Sequence, residues 1–229
     1  KDFYKDIKFF EKEFGGIMPL EILIDTKKEK GVMKLSVLKK MEKINETIES
    51  FPELSKPISV TNLVKYSKQA YYKGNPKYYQ LPTNQEQSYI FSYTKNSNSD
   101  AGMLKSFVDS TGRYARITTF MKDIGTDKMD IIQERLKGVI GKNFPKEKFN
   151  VSITGKALVF IKGTNYLITN LVFSLSLAII LIAIFMAWMF RSPQMILISL
   201  LPNILPLLIT ASLMGFLGIP IKPSTILVF

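Results

Sequence analysis

Along roughly the first 160 residues, apolar positions recur with a helix or strand period among many charges; beyond them polarity nearly disappears. "LEILID" at 20–25 alternates as a strand does, after the turn-like "FGG". Val37, Leu38, Met41, Ile44, Ile48 and Phe51 then recur at helical spacing, while Lys39, Lys40, Glu42, Lys43, Glu46 and Glu49 fill the other face and Pro52 closes the helix. "SVTNLVKYSKQAYY" at 59–72 predicts a short helix, and "SYIFSY" at 88–93 and "ARITTFM" at 115–121 predict strands. The next helix takes Thr126 as its cap, and Asp127 and Asp130 suit its positive end. Met129, Ile132, Leu136 and Val139 form its apolar stripe, Lys137 and Lys142 suit its C-terminal end, and Gly141 is its stop. "FNVSIT" at 149–154 alternates strictly, as a half-buried strand should.

Strand, helix, insert, strand, strand, helix, strand is the order of two βαβ halves. The expected fold is therefore an α+β domain of ferredoxin-like βαββαβ type, followed by transmembrane α-helices. About 155 residues suffice to bury a core.

The apolar part consists of two charge-free runs, Gly163 to Phe190 and Ser192 to Ile221, of 28 and 30 residues. A helix rises about 1.5 Å per residue, so roughly 20 residues cross a hydrocarbon core of about 30 Å and each run is long enough to span. Trp188 falls where an interfacial ring is expected. The predicted organisation is residues 1–160 as a porter-type α+β domain and 161–191 as a first transmembrane helix. Residues 192–219 form a second, proline-broken one, and 220–229 begin a third.

Charge divides the same way. All 19 acidic residues lie at or before Glu147, and residues 1–160 hold 28 basic residues against them, a net +9. Arg191 and Pro193 stand in the turn between the spans, and Arg191 points to a cytoplasmic turn with residues 1–160 outside. The absence of cysteine suits an oxidising compartment. The charged start lacks a signal peptide and an initiating Met. Together with the apolar end "KPSTILVF", it reads as a fragment whose export signal lies upstream.

Pro202 and Pro206 sit inside the second run with Asn203 between them. Each proline removes a backbone donor and crowds the carbonyl four residues earlier, so this helix is built to pack against protein; the three residues are candidates for a hinge. Pro202 and Pro206 shaping a static bundle is the alternative.

"LPNILPLLITASLMGFLGIPIKPST" resembles the second helix of the transmembrane repeat of the resistance-nodulation-division (RND) superfamily, especially its MMPL-type exporters. There a proline-broken helix runs through Met-Gly and Gly-Ile-Pro, here ending at Gly218 and Pro220, into the next helix. "FFEKEFGGIMPLEILIDT" is similar to the start of the porter segment in the second half of such exporters. The resemblance implies a multi-pass protein of the bacterial inner membrane in which proton flow drives the porter domain to export hydrophobic or lipid-like substrates. Its implied partners are membrane lipids, protons, the remaining half of the transporter and further copies in an oligomer. The acidic proton carriers of that family stand on the helix after Gly-Ile-Pro, which begins here at about Thr225; neither charge-free run contains an acidic residue.

Other chemistry recedes. With no His and no Cys, the usual zinc sites, thiol nucleophiles and histidine triads are excluded, and "GKALVFIKGT" lacks a phosphate-loop pattern. No cofactor, metal site or enzymatic activity is expected; Asp127 and Asp130 serve a helix start. Of the 31 basic residues 27 are lysines scattered among glutamates, a solvated surface and not a nucleic-acid footprint. "QAYYKGNPKYYQLP" places Tyr71, Tyr72, Tyr78 and Tyr79 around a Gly-Asn-Pro turn, as core packing or as a surface for an amphipathic ligand or partner. "NSNSDAG" at 96–102 reads as a linker. A membrane-anchored binding or assembly module, and a Sec-type protein-translocation accessory, are the functional alternatives to export.

Overall fold

The computed structural model describes residues 2–96, 104–190 and 193–218. In chain order the elements are α1 (Asp2–Phe14), β1 (Met18–Asp25), α2 (Leu35–Glu49), α3 (Val60–Tyr71), a 3-10 turn (Pro76–Tyr78) and α4 (Gln87–Asn96). Then follow β2 (Tyr114–Met121), α5 (Thr126–Asn143), β3 (Asn150–Thr154), α6 (Lys156–Phe190) and α7 (Pro193–Phe216). The chain divides into two compact units, Lys1–Val159 and Phe160–Phe229.

The first unit is α+β. Its sheet has the order β2-β1-β3, with β1 antiparallel to both neighbours and Ile22 opposite Ile117 on one side and Ile153 on the other. Alternation sends Leu20, Ile22 and Ile24 of β1 and Ala115, Ile117 and Met121 of β2 into the core, where Leu38, Met41, Ile44 and Ile48 of α2 and Met129, Ile132 and Leu136 of α5 are also buried. Helix α2 packs against α5, and α3 packs against α2, α4 and β2. The outer edge of β2 is covered by an extended segment: Ser55 N donates to the Phe120 carbonyl at 2.8 Å and Ile58 N to that of Thr118 at 2.8 Å. Those bonds satisfy groups that an open edge would leave free.

Three of the four expected strands form among the described residues, in the order β2-β1-β3, and the fourth, expected at 88–93, does not; the extended segment carrying Leu54 and Ile58 bridges antiparallel to β2 instead. The difference lies at 88–93, which belongs to α4. The sequence "TNQE" at 83–86 precedes it as a capping box. Thr83 N donates to Glu86 Oε2 at 2.8 Å, and Glu86 N donates to Thr83 Oγ1 at 3.4 Å. Once the helix starts there, Ile90 and Thr94, four apart, are both fully buried, so a helical period replaces the apparent alternation of "SYIFSY".

Smaller corrections follow from backbone geometry. The cap of α5 is Gly125, with Thr126 as its first helical residue, and the helix runs through Gly141 to Asn143. A glycine inside a helix costs stability without ending it, and here Asn143 Nδ2 donates to the Val139 carbonyl at 2.8 Å in the last turn. Helix α1, unassigned in the sequence reading, ends where Gly15 takes a left-handed φ of 73°.

The second unit continues α6 and adds α7. Among the described residues one helix, Lys156–Met189, is long and apolar enough to cross a membrane; the apolar stretch Leu200–Phe216 within α7 is shorter. Helix α6 starts at Lys156, inside the segment assigned to the soluble domain, directly after Gly155.

Candidate functional site

The middle insert carries the most distinctive side-chain constellation of the first unit. Tyr71 is the last residue of α3 and Tyr72 its C-cap, and Tyr89 and Tyr93, four apart, share one face of α4. Because α3 and α4 pack together, the Tyr71 ring lies 5.4 Å from Tyr72, 5.2 Å from Tyr89 and 5.7 Å from Tyr93. Asn75 caps the 3-10 turn by accepting from Lys77 N at 3.1 Å, which brings the Tyr78 ring to 4.1 Å from Tyr72, stacked at 15°. Tyr79 leaves this group: its ring pairs with Tyr66 at 4.8 Å, and its hydroxyl accepts from Asn62 Nδ2 at 3.4 Å. Burial raises the Tyr79 pKa.

Thus three of the four sequence-predicted tyrosines come together, joined by Tyr89 and Tyr93. Tyr71, Tyr89 and Tyr93 remain exposed, and a core-packing role does not account for them. The two additional tyrosines were missed because their segment read as a strand; the "TNQE" box was the signal that would have found them.

A polar anchor holds the cluster. Glu86 accepts from Lys68 Nζ at 2.7 Å, from Tyr72 Oη at 3.0 Å and from Thr83 N at 2.8 Å. Burial alone would push this carboxyl up, but the Lys68 ammonium, the Thr83 N–H and the Tyr72 hydroxyl outweigh it and hold its pKa at about 2. The hydroxyls of Tyr72 and Tyr89 lie 3.2 Å apart, and the Tyr89 hydroxyl and Glu86 carboxylate push the Tyr72 pKa up. The hydroxyls of Tyr72 and Tyr89 are thereby engaged within the cluster, while Tyr71, Tyr89 and Tyr93 leave aromatic surface exposed. Such a surface can stack on flat or apolar ligand faces at small ordering cost.

The hinge candidates lie in α7. Pro202 and Pro206 are both inside this 24-residue helix, which continues through them. Proline nitrogens cannot donate to the carbonyls of Ile198 and Pro202. Thr210 Oγ1, one turn on, donates to the Pro206 carbonyl at 2.8 Å and so does not supply the missing donors. Asn203 belongs to the same helix.

Pro193 is the first residue of α7, where a missing N–H costs nothing. Gly218, at φ 65°, ends the turn after the helix. Arg191 and Pro220 lie outside the described residues.

Among the described residues no group of three or more Asp or Glu side chains is placed to hold a metal ion. Asp123 N donates to Glu11 Oε1 at 2.7 Å, tying α1 to the end of β2. No protein-family model matches the sequence, and no curated protein matches it.

Proposed function

We propose that this chain is part of a proton-driven exporter of the RND type that moves hydrophobic or lipid-like substrates outward across the bacterial inner membrane, with residues 1–160 outside. The observation that carries the reading is the junction between strand and helix. β3 ends at Thr154, and after Gly155 the helix α6 runs 35 residues without interruption. At about 1.5 Å per residue this is roughly 50 Å, more than the about 30 Å of a hydrocarbon core, so the helix is long enough to span one.

Its apolar side chains support a lipid or helix-packed environment: Phe173 is 71% exposed and Trp188 77% exposed. The proline-containing α7 supports a helix packed among protein neighbours, which can satisfy the carbonyls its prolines leave free. The residues named for the hinge are Pro202, Asn203 and Pro206, and the protons and the remaining half of the transporter belong to the same reading.

The test is export by the full-length protein in cells loaded with Nile red. Protein-dependent efflux that stops with a protonophore supports the reading, and efflux equal to that of cells lacking the protein refutes it. The exposed tyrosines of α3 and α4 favour a second reading, a membrane-anchored binding module without transport, which that refuting result would leave in place.

A further inference from the structure

We propose that the cleft between the C-terminal half of α1 and residues 55–58 binds an amphipathic carboxylate, a molecule with a long apolar chain and one anionic head. The proposal rests on the exporter reading for the fate of the ligand, and on the cleft alone for its binding.

The cleft has a volume of about 710 Å³. That lies within the roughly 300–1,000 Å³ typical of small-molecule sites. Phe10, Phe14, Ile17 and Ile58 give it apolar walls. Phe14 is 61% exposed and Ile58 47% exposed, so apolar side chains gather around a hollow that no described residue fills. Clustered exposed apolar surface of this kind marks binding sites.

The walls are fixed before any ligand arrives. Gly15 and Gly16 bend the chain between α1 and β1, and a Cβ at Gly16 would lie 2.5 Å from the Met121 carbonyl carbon. Ile17 N donates to the Met121 carbonyl at 3.0 Å, and Glu11 accepts from Asp123 N at 2.7 Å. The opposite wall, residues 55–58, is hydrogen-bonded to β2. A preformed hollow spares the ligand the cost of ordering its site.

Charge selects the head group. Lys12 and Lys56 line the cleft against one carboxylate, Glu13, leaving a local excess of one positive charge. A single carboxylate head complements that excess, an ammonium head is repelled, and an uncharged ester gains no pairing. The net +9 of residues 1–160 attracts anions in the same sense.

The experiment uses the full-length protein in nanodiscs of neutral lipid and a photoactivatable diazirine derivative of palmitic acid, with cross-linked peptides mapped by mass spectrometry. Labelling is expected within residues 10–17 and 55–58. Oleate should compete with it, and methyl oleate should not. Lys12→Gln with Lys56→Gln should weaken labelling of the cleft about fivefold, the scale of two solvent-exposed charge pairs. Ile58→Trp should fill the hollow and remove cleft labelling, while background labelling of α6 by probe in the bilayer reports that the protein remains inserted.

Labelling confined to α6 and α7, or equal competition by acid and ester, would overturn the proposal. So would a cleft protected by another segment of the protein or by a second copy. Labelling without proton-dependent efflux would leave the site standing and sink the exporter reading; efflux without labelling would do the reverse.

Discussion

The Lys68 ammonium lies 2.7 Å from a Glu86 carboxylate oxygen, and the lysine side chain is only 2% exposed while that of Glu86 is 15% exposed. This pair pins α3 to the box that starts α4, and the Tyr72 hydroxyl bonds to the same carboxylate. The tyrosine surface therefore depends on a partly buried charge pair.

The two partners are not equivalent. Glu86→Gln leaves a buried ammonium without a counter-charge and should cost about 3 kcal/mol. Lys68→Met removes that charge, and the more exposed Glu86 turns to water, so its cost should be nearer 1 kcal/mol. Chemical unfolding followed by near-ultraviolet circular dichroism reads the order; an equal or larger loss for Lys68→Met refutes it.

Acid should loosen the first unit through two carboxylates. Arg113 donates to Asp25 from Nε at 2.7 Å and from Nη2 at 2.8 Å. This bonding, helped by the Lys27 N–H and opposed by burial, holds the Asp25 pKa at about 2, below its ordinary 3.8. Glu86 is likewise held at about 2, below its ordinary 4.5. Folded-state values below the unfolded ones mean that the contribution is complete above about pH 5 and disappears as pH falls through the window down to about 2. The stability of Asp25→Asn and Glu86→Gln variants should fall less steeply across this window than that of the parent; slopes equal to the parent's would show that these groups do not carry the effect.

Glycine substitutions should divide by location. At Gly16 an added Cβ meets the Met121 backbone at 2.5 Å, and at Gly155 it meets the Pro19 carbonyl oxygen at 2.5 Å. Alanine at either position should cost about 2 kcal/mol or more, since the obstacle is backbone. Gly138, on α5, has nothing within 4 Å of such a Cβ, and Gly138→Ala should stabilise by roughly 0.5–1 kcal/mol through helix propensity. Thermal unfolding midpoints of the three variants provide the comparison, and a destabilised Gly138→Ala would contradict it.

Pro202→Ala with Pro206→Ala restores two backbone donors within α7. If the prolines relay proton-driven motion, the double variant should reach normal abundance in the membrane while Nile red efflux falls severalfold. Unchanged efflux would make the prolines static packing features.

The sequence by itself determined those elements whose local period and burial agree. The stripe of α2, the alternation of β1, β2 and β3, and the long apolar run of α6 were legible because each element carries one consistent pattern of apolar positions. Tyr71, Tyr72 and Tyr78 were legible as an aromatic group because the Gly-Asn-Pro turn brings neighbours in sequence together.

Tertiary structure decided what depends on partners distant in the chain. The six residues 88–93 satisfy a strand's alternation and a helix's spacing alike. The capping box, Lys68 on Glu86, and burial of Ile90 with Thr94 select the helix. The strand order, which places β1 between two antiparallel neighbours, and the cleft between α1 and residues 55–58 are likewise set by non-local hydrogen bonds. Periodicity tells which face of an element seeks cover, and only the packed chain decides what provides it.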